Sequence, residues 1–258
     1  MIVHDISTLT RRDLLHWRNR PGPVVVGWLF PILVILLFGA LLGGAIQTPG
    51  GGSYHEYLMP GMFAMTMLFG LESTMTAVAT DAARGVTDRF RSLPINDAAV
   101  VAGRCAADML NSVIGLAIVT GTGLLLGWRW QYGLADAVAA AALLLLLRFS
   151  LLWAGIYLGL VAKGPESVVA VQILVWPLLF VSNAFIDPAT MPGWLGMIAD
   201  WNPLSATASA VRELCGNPGR SGHSWPAHHS IALSMLWPLL MVTVFVPLSM
   251  RRFRSLGN

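Results

Sequence analysis

Apolar and polar positions follow one another along this 258-residue chain in long blocks, not with the short period of a half-buried helix or strand. Charge-free windows run from Pro21 to His55, Met109 to Trp128, Ser167 to Ile186 and Ser230 to Met250. Each reaches the roughly 20 residues that carry a helix across about 30 Å of hydrocarbon. Two more windows hold a single interior charge, Leu58 to Thr80 with Glu72 and Ala137 to Ala162 with Arg148. These segments are apolar all round, which argues against a large soluble helical protein, whose helices need polar faces to meet water. The pattern predicts an all-α membrane protein with six transmembrane helices at about 24–46, 57–80, 100–128, 137–162, 167–186 and 231–249, within a single transmembrane domain of residues 1–258.

The polar blocks between the windows have their own patterns. Residues 1–20 mix Ile2, Ile6 and Leu9 with Arg11, Arg12, Arg18 and Arg20, which predicts an interfacial helix on the inner leaflet; a disordered basic tail is the alternative. In the loop 81–96, Val86, Phe90 and Leu93 recur at steps of four and three, while Asp81/Arg84 and Asp88/Arg91 lie three apart. That spacing predicts a short amphipathic helix parallel to the membrane and stopped by Pro94. The long loop 187–228 contains an apolar stretch, Met191 to Ile198, that is too short to cross and is broken by Pro192 and Gly193. A short re-entrant helix dipping into the outer leaflet is expected there, with a second short helix over 205–214.

Composition agrees with the pattern, since 55% of residues are hydrophobic and 11% charged, against about 25% charged in soluble domains. The distribution of charge says more than its sum. With the N-terminus inside, the inner side carries Arg11, Arg12, Arg18, Arg20, Arg84, Arg89, Arg91, Arg104, Lys163, Arg251, Arg252 and Arg254, whereas the outer side carries Arg129, Arg212 and Arg220. This bias predicts a multi-pass protein of the cell inner or plasma membrane with both termini cytoplasmic. Cys105 and Cys215 fall at opposite membrane faces in this topology, so no disulfide within the chain is expected. The first apolar run is too long for a cleaved signal peptide and follows some twenty charged and polar residues.

The chemistry of the motifs narrows the function. The only lysine, Lys163, stands in Ala162-Lys163-Gly164, so the chain has no phosphate-binding loop ending Gly-Lys-Ser/Thr. Nucleophile-elbow, His-Glu-x-x-His and Cys-x-x-Cys elements are missing too. His223, His228 and His229 cluster, but two are adjacent and without helical ligand spacing, so they read as interfacial or loop residues and not as zinc ligands. The arginines sit at membrane ends instead of forming a stripe that could read nucleic acid. Glu72 and Arg148 are ionisable positions well inside predicted spans, where charge is costly and marks function by default. Three readings stand open for them: an ion pair with each other, the lining of a polar path, or separate satisfaction by water and backbone.

Several segments, taken in order, resemble permease subunits of ABC exporters of the second type (the ABC-2 family), in particular the daunorubicin/doxorubicin-resistance branch. They are Arg84 to Pro94 after the second span, Gly164-Pro165-Glu166-Ser167-Val168 before the fifth, and Ser182-Asn183-Ala184-Phe185, Met191-Pro192-Gly193-Trp194 and Asn202-Pro203-Leu204-Ser205 with Val211-Arg212 in the outer loop. The resemblance implies a non-hydrolysing subunit that works with two copies of an ATP-binding ABC subunit and with a second permease, identical or paralogous. It implies no cofactor on this chain, with ATP and Mg bound by the partner. It places ATPase coupling on Arg84, Val86, Asp88, Arg89, Phe90, Arg91 and Leu93, with a second contact at Lys163 and Glu166. It also implies export of a hydrophobic or amphipathic compound, whether drug, lipid or glycolipid, with an outer re-entrant segment at Met191, Pro192, Gly193, Trp194, Asn202 and Pro203. A secondary transporter or channel is the first alternative, although inverted repeats and many intramembrane acids are not evident; a membrane assembly or scaffold protein and a membrane enzyme follow.

Overall fold

The computed structural model describes residues 10, 15, 19, 21–43, 53–84, 97–162, 164–219 and 224–255. All but residues 10, 15 and 19 of the expected interfacial helix, most of the loop 81–96 with Val86, Asp88, Arg89, Phe90, Arg91 and Leu93, and Lys163, Arg220 and His223 lie outside them.

Long apolar helices dominate the described residues: α1 (Pro21–Leu42), α2 (Tyr54–Ala83), α3 (Asp97–Leu125), α4 (Leu134–Val161), α5 (Pro165–Phe180) and, near the C-terminus, α9 (Ser230–Ser255). Between α5 and α9 come a 3-10 turn (Pro188–Thr190) and three short helices, α6 (Gly193–Trp201), α7 (Pro203–Cys215) and α8 (Trp225–His228). Local chemistry explains the boundaries. Ser53 caps α2, its hydroxyl accepting from His55 N while Glu56 Oε2 accepts from Ser53 N, a reciprocal box that satisfies the first turn. Pro165 opens α5, in the first turn where a missing N–H costs nothing. Gly216 ends α7 at φ +68°, a left-handed cap that glycine adopts without strain.

Five of these helices, α1 to α4 and α9, are long and apolar enough to cross a bilayer. The protein is thus an all-α, multi-pass membrane bundle. The window 167–186 is not one continuous helix: α5 holds 16 residues, about 24 Å at 1.5 Å per residue, and ends at Phe180. Residues 181–187 continue it as irregular, largely buried backbone.

The bundle is organised around α2 and α4, with α9 packed along α4. Glycines allow the close approach: a Cβ at Gly155 would lie 2.8 Å from Leu71 O, and one at Gly159 would lie 2.8 Å from Met75 O. Small residues are the usual means by which membrane helices pack, since lipid supplies no hydrophobic force between them. Met59, Met62, Met65, Met67 and Leu68 of α2 form a flexible-sided core with Leu144, Leu147 and Leu151 of α4. By contrast Leu33, Leu37 and Leu41 of α1, Ile173 and Leu174 of α5, and Leu236, Leu239 and Leu240 of α9 are exposed. In water such faces would aggregate; in a bilayer they meet their own solvent.

Candidate functional site

Two polar constructions are buried in this apolar bundle. The first joins α2, α3 and α4. Arg148 of α4 is 2% exposed, and its Nη2 lies 3.9 Å from Asp108 Oδ2 on α3. It donates from Nε to Ser112 Oγ at 2.7 Å and from Nη2 to Thr74 Oγ1 at 2.8 Å. Thr74 in turn donates to Asp108 Oδ2 at 2.7 Å. Asp108 also faces Arg104, one turn earlier on α3, at 3.5 Å, and Arg104 donates to Asp81 Oδ2 in the last turn of α2 at 3.2 Å. The result is a ladder of alternating charge, Arg148–Asp108–Arg104–Asp81, running from inside the bundle to the C-terminal end of α2, three residues before Arg84. Gly70 makes room for it, because a Cβ there would sit 2.7 Å from the Arg148 guanidinium carbon.

This arrangement answers one question left open by the sequence. Glu72 and Arg148 do not pair: Arg148 is held by Asp108, Thr74 and Ser112, and Glu72 Oε1 is buried without a hydrogen-bond partner. The reason is rotational. Residues 70 and 74 of α2 face α4, and Glu72 is turned about 160–200° away at 100° per residue. Sequence reasoning missed Asp108 and Arg104 as interior charges because they adjoin the charge-free window beginning at Met109. Their spacing of four, which puts opposite charges on one helix face, was the available signal.

The second construction closes the irregular segment 181–187. Asn202 caps α7 through Oδ1, which accepts from Leu204 N at 2.9 Å, and donates from Nδ2 to Leu178 O and Val181 O at 2.8 and 2.6 Å. One side chain thus starts α7 and satisfies carbonyls left free where α5 stops. Asn183 donates from N to Ser205 Oγ and from Nδ2 to Ser209 Oγ. Its carbonyl accepts from Tyr57 Oη at 3.2 Å and from Arg212 Nη2 at 2.7 Å, using both lone pairs. Arg212, 1% exposed, also donates from Nε to Tyr57 O at 3.1 Å and lies 4.1 Å over the Tyr57 ring. Burial pushes its guanidinium below the ordinary arginine value, with Tyr57, Asp187 and Tyr54 opposing. Gly61 admits the backbone of Ala184, whose Cα would be 2.6 Å from a Cβ. Irregular backbone at membrane depth is tolerable only when enclosed in protein in this way. A cleft of about 240 Å³ beside Arg212 is lined by Ser209, Glu213, His228 and Ser230 among others.

Met191, Pro192 and Gly193 lead into α6, which exposes Trp194, Met197, Ile198 and Trp201 on one face and buries Gly196 and Ala199 on the other. Trp201 stacks on Trp225 and Trp225 on His229, at centroid distances of 5.8 and 4.4 Å. Pro203 is the first residue of α7. Arg84 is exposed at the end of α2 and Glu166 is exposed in the first turn of α5. Among the described residues, no group of three or more His, Cys, Asp or Glu is placed to hold a metal ion.

Fold and site together define a multi-pass helical membrane protein with a charged ladder at one end of its bundle and a stapled segment at the other. Residues 4–215 match the ABC-2 type transporter family, and the chain belongs to it. It is 36% identical to the daunorubicin resistance ABC transporter permease protein DrrB1 of Streptomyces coeruleorubidus, over 96% of this chain and 86% of that protein. It is 25% identical to the putative transport permease ycf38 of Porphyra purpurea, over 84% and 75% of the two chains. With the probable doxorubicin resistance ABC transporter permease protein DrrC of Mycobacterium tuberculosis (strain ATCC 25618 / H37Rv) the identity is 22%, over 79% and 74%. The chain is therefore the membrane permease component of an ABC exporter, and ATP hydrolysis resides in a separate subunit.

Proposed function

We propose that this permease moves a hydrophobic or amphipathic compound of the drug, lipid or glycolipid class out through the membrane. It does so as one of two permease subunits, identical or paralogous, driven by two copies of an ATP-binding subunit that holds ATP and Mg. The observation that carries the reading is its likeness to a daunorubicin-resistance permease along nearly its whole length. The unit is one transmembrane domain, with α5 and the irregular segment after it together acting as a fifth crossing and α9 as the sixth. Both termini lie on the cytoplasmic side of the inner or plasma membrane, in keeping with the arginine bias.

In this mechanism the segment from Arg84 to Leu93 seats on the ATPase, with Lys163 and Glu166 as a second contact. Movement of that segment reaches α2 at Asp81, and the charge ladder passes it to α3 and α4 at Arg104, Asp108 and Arg148. Energy enters because nucleotide binds two arrangements of the complex unequally. At the other end the apolar face of α6, Trp194, Met197, Ile198 and Trp201, rests in the outer leaflet as a re-entrant element. The test is co-expression with the candidate ATPase. Stable co-purification and ATP-dependent dye movement in inverted vesicles, both lost on replacing Phe90 and Arg91 by alanine, are the expected results. Transport by this chain alone under an ion gradient in ATP-free vesicles would overturn the reading.

A further inference from the structure

The inner half of α2 has two unlike sides. Gly70, Leu71, Thr74, Met75 and Val78 meet α4: Gly70 faces Arg148, Leu71 and Thr74 face Gly155, and Met75 and Val78 face Gly159. At about 100° per residue, Glu72, Ser73, Thr76 and Thr80 fall on the opposite side, within an arc of about 100°. Ser73 and Thr76 are exposed there and Glu72 is partly exposed. Glu72 stands 11 positions before Ala83, the last residue of a 30-residue helix, about 17 Å from its inner end and so within the hydrocarbon depth.

A carboxyl group at that depth cannot face lipid tails without a large cost, and the two hydroxyls beside it add polar character, so this side of α2 looks onto a polar path or a polar ligand. Among the described residues Glu72 makes no ion pair. Its Oε1 is buried with no hydrogen-bond partner, and the arginine at comparable depth, Arg148, is turned to the other side of α2 and held by Asp108. What complements an unspent acid beside two hydroxyls is a positively charged donor group on an otherwise apolar molecule.

Resting on the permease function proposed above, we infer that Glu72, flanked by Ser73 and Thr76, is the cation-recognition point of the translocation path. It selects amphipathic substrates that carry an amine. Glu72 supplies the counter-charge, and the Ser73 and Thr76 hydroxyls accept the remaining donor hydrogens of an ammonium group.

The experiment compares equilibrium binding of monodansylcadaverine, a fluorescent amphipathic amine, with its N-acetyl derivative, which lacks the charge, to the full-length protein purified in detergent. The wild type binds the amine about tenfold more tightly than the acetylated dye. Glu72→Gln brings the two within about twofold of each other, and Glu72→Asp keeps the preference; a tenfold ratio is about 1.4 kcal/mol. A double variant, Ser73→Ala with Thr76→Val, weakens amine binding while leaving the acetylated dye unaffected, and provides the same comparison should Glu72→Gln fold poorly. Equal binding of both dyes by the wild type, or loss of both in proportion in the variants, overturns the inference. So does disulfide cross-linking of Glu72→Cys between two copies without any effect on amine binding, which would make this side a permease–permease contact. Amine selectivity with no ATP-driven movement would instead count against the proposed export function alone.

Discussion

Asp108→Asn removes the only carboxylate within 4.0 Å of Arg148 among the described residues, while leaving shape and volume almost unchanged. Arg148 is 2% exposed, and the Asp108 side chain is 14% exposed, so solvent screens the pair little. Breaking one side of a buried ion pair typically costs about 3–5 kcal/mol, because the surviving charge is left without compensation. The lower part of that range is expected here, since Ser112 and Thr74 continue to accept from the guanidinium. Double replacement, Asp108→Asn with Arg148→Met, removes both charges, so its cost should fall below the sum of the single costs by about 1–3 kcal/mol. Asp81→Asn acts on a pair at the mouth of the bundle, with side chains 19% and 31% exposed, and should cost no more than about 1 kcal/mol. Unfolding of the detergent-solubilised protein, followed by tryptophan fluorescence, reads these values; at roughly 2–4 °C per kcal/mol, Asp108→Asn should lower Tm by about 6–15 °C. Unchanged Tm for Asp108→Asn, or strict additivity in the double variant, would refute the ladder as a coupled unit.

Gly70→Ala should cost about 1–3 kcal/mol by forcing the Arg148 guanidinium off its seat, and Arg148→Met in the same chain should relieve the clash, which the same unfolding assay detects as non-additivity. Asn202→Ala deletes the α7 cap, worth about 1 kcal/mol, and strands the Leu178 and Val181 carbonyls, each adding roughly 1 kcal/mol or more; amide exchange should rise first across 178–187. Arg212→Lys keeps a charge but not the fork that reaches both Tyr57 O and Asn183 O, so it should destabilise nearly as much as Arg212→Met; full stability of the lysine variant would contradict the staple. The Cys215 thiol is 3% exposed, and burial, with Asp136 second, pushes it up to about 11. A raised thiol value means less thiolate at any given pH, about one part in a thousand at pH 8. Iodoacetamide labelling read by peptide mass spectrometry should therefore be slow at pH 8 and fast only after unfolding.

The spans were legible because hydrocarbon imposes a minimum length of apolar residues and the chain meets it in blocks; α1, α2, α3, α4 and α9 each overlap a predicted window, with ends that differ by several residues. The short helices α6 and α7 fall where the sequence reads short elements, at Met191 to Ile198 and over 205–214, although α7 starts two residues earlier, at Pro203, because Asn202 caps it. The end of α5 was not legible. Hydropathy continues to Ile186, whereas the helix stops at Phe180 because Asn202, Tyr57 and Arg212, distant in sequence, supply the hydrogen bonds that a continuing helix would have supplied itself. Nothing local to residues 181–187 announces those partners.

From sequence alone came the membrane class and the apolar blocks long enough to cross, both of which depend on composition summed over about twenty residues. The tertiary structure alone decided which charges meet. A change of two residues along α2 turns a side chain by about 200°, so Thr74 reaches Arg148 while Glu72 faces away from it, and Asp108 on a third helix becomes the true partner. Helix rotation and relative depth are set by packing of side chains against their neighbours, here by Gly70, Gly155 and Gly159 admitting what lies opposite them, and hydropathy carries no record of either.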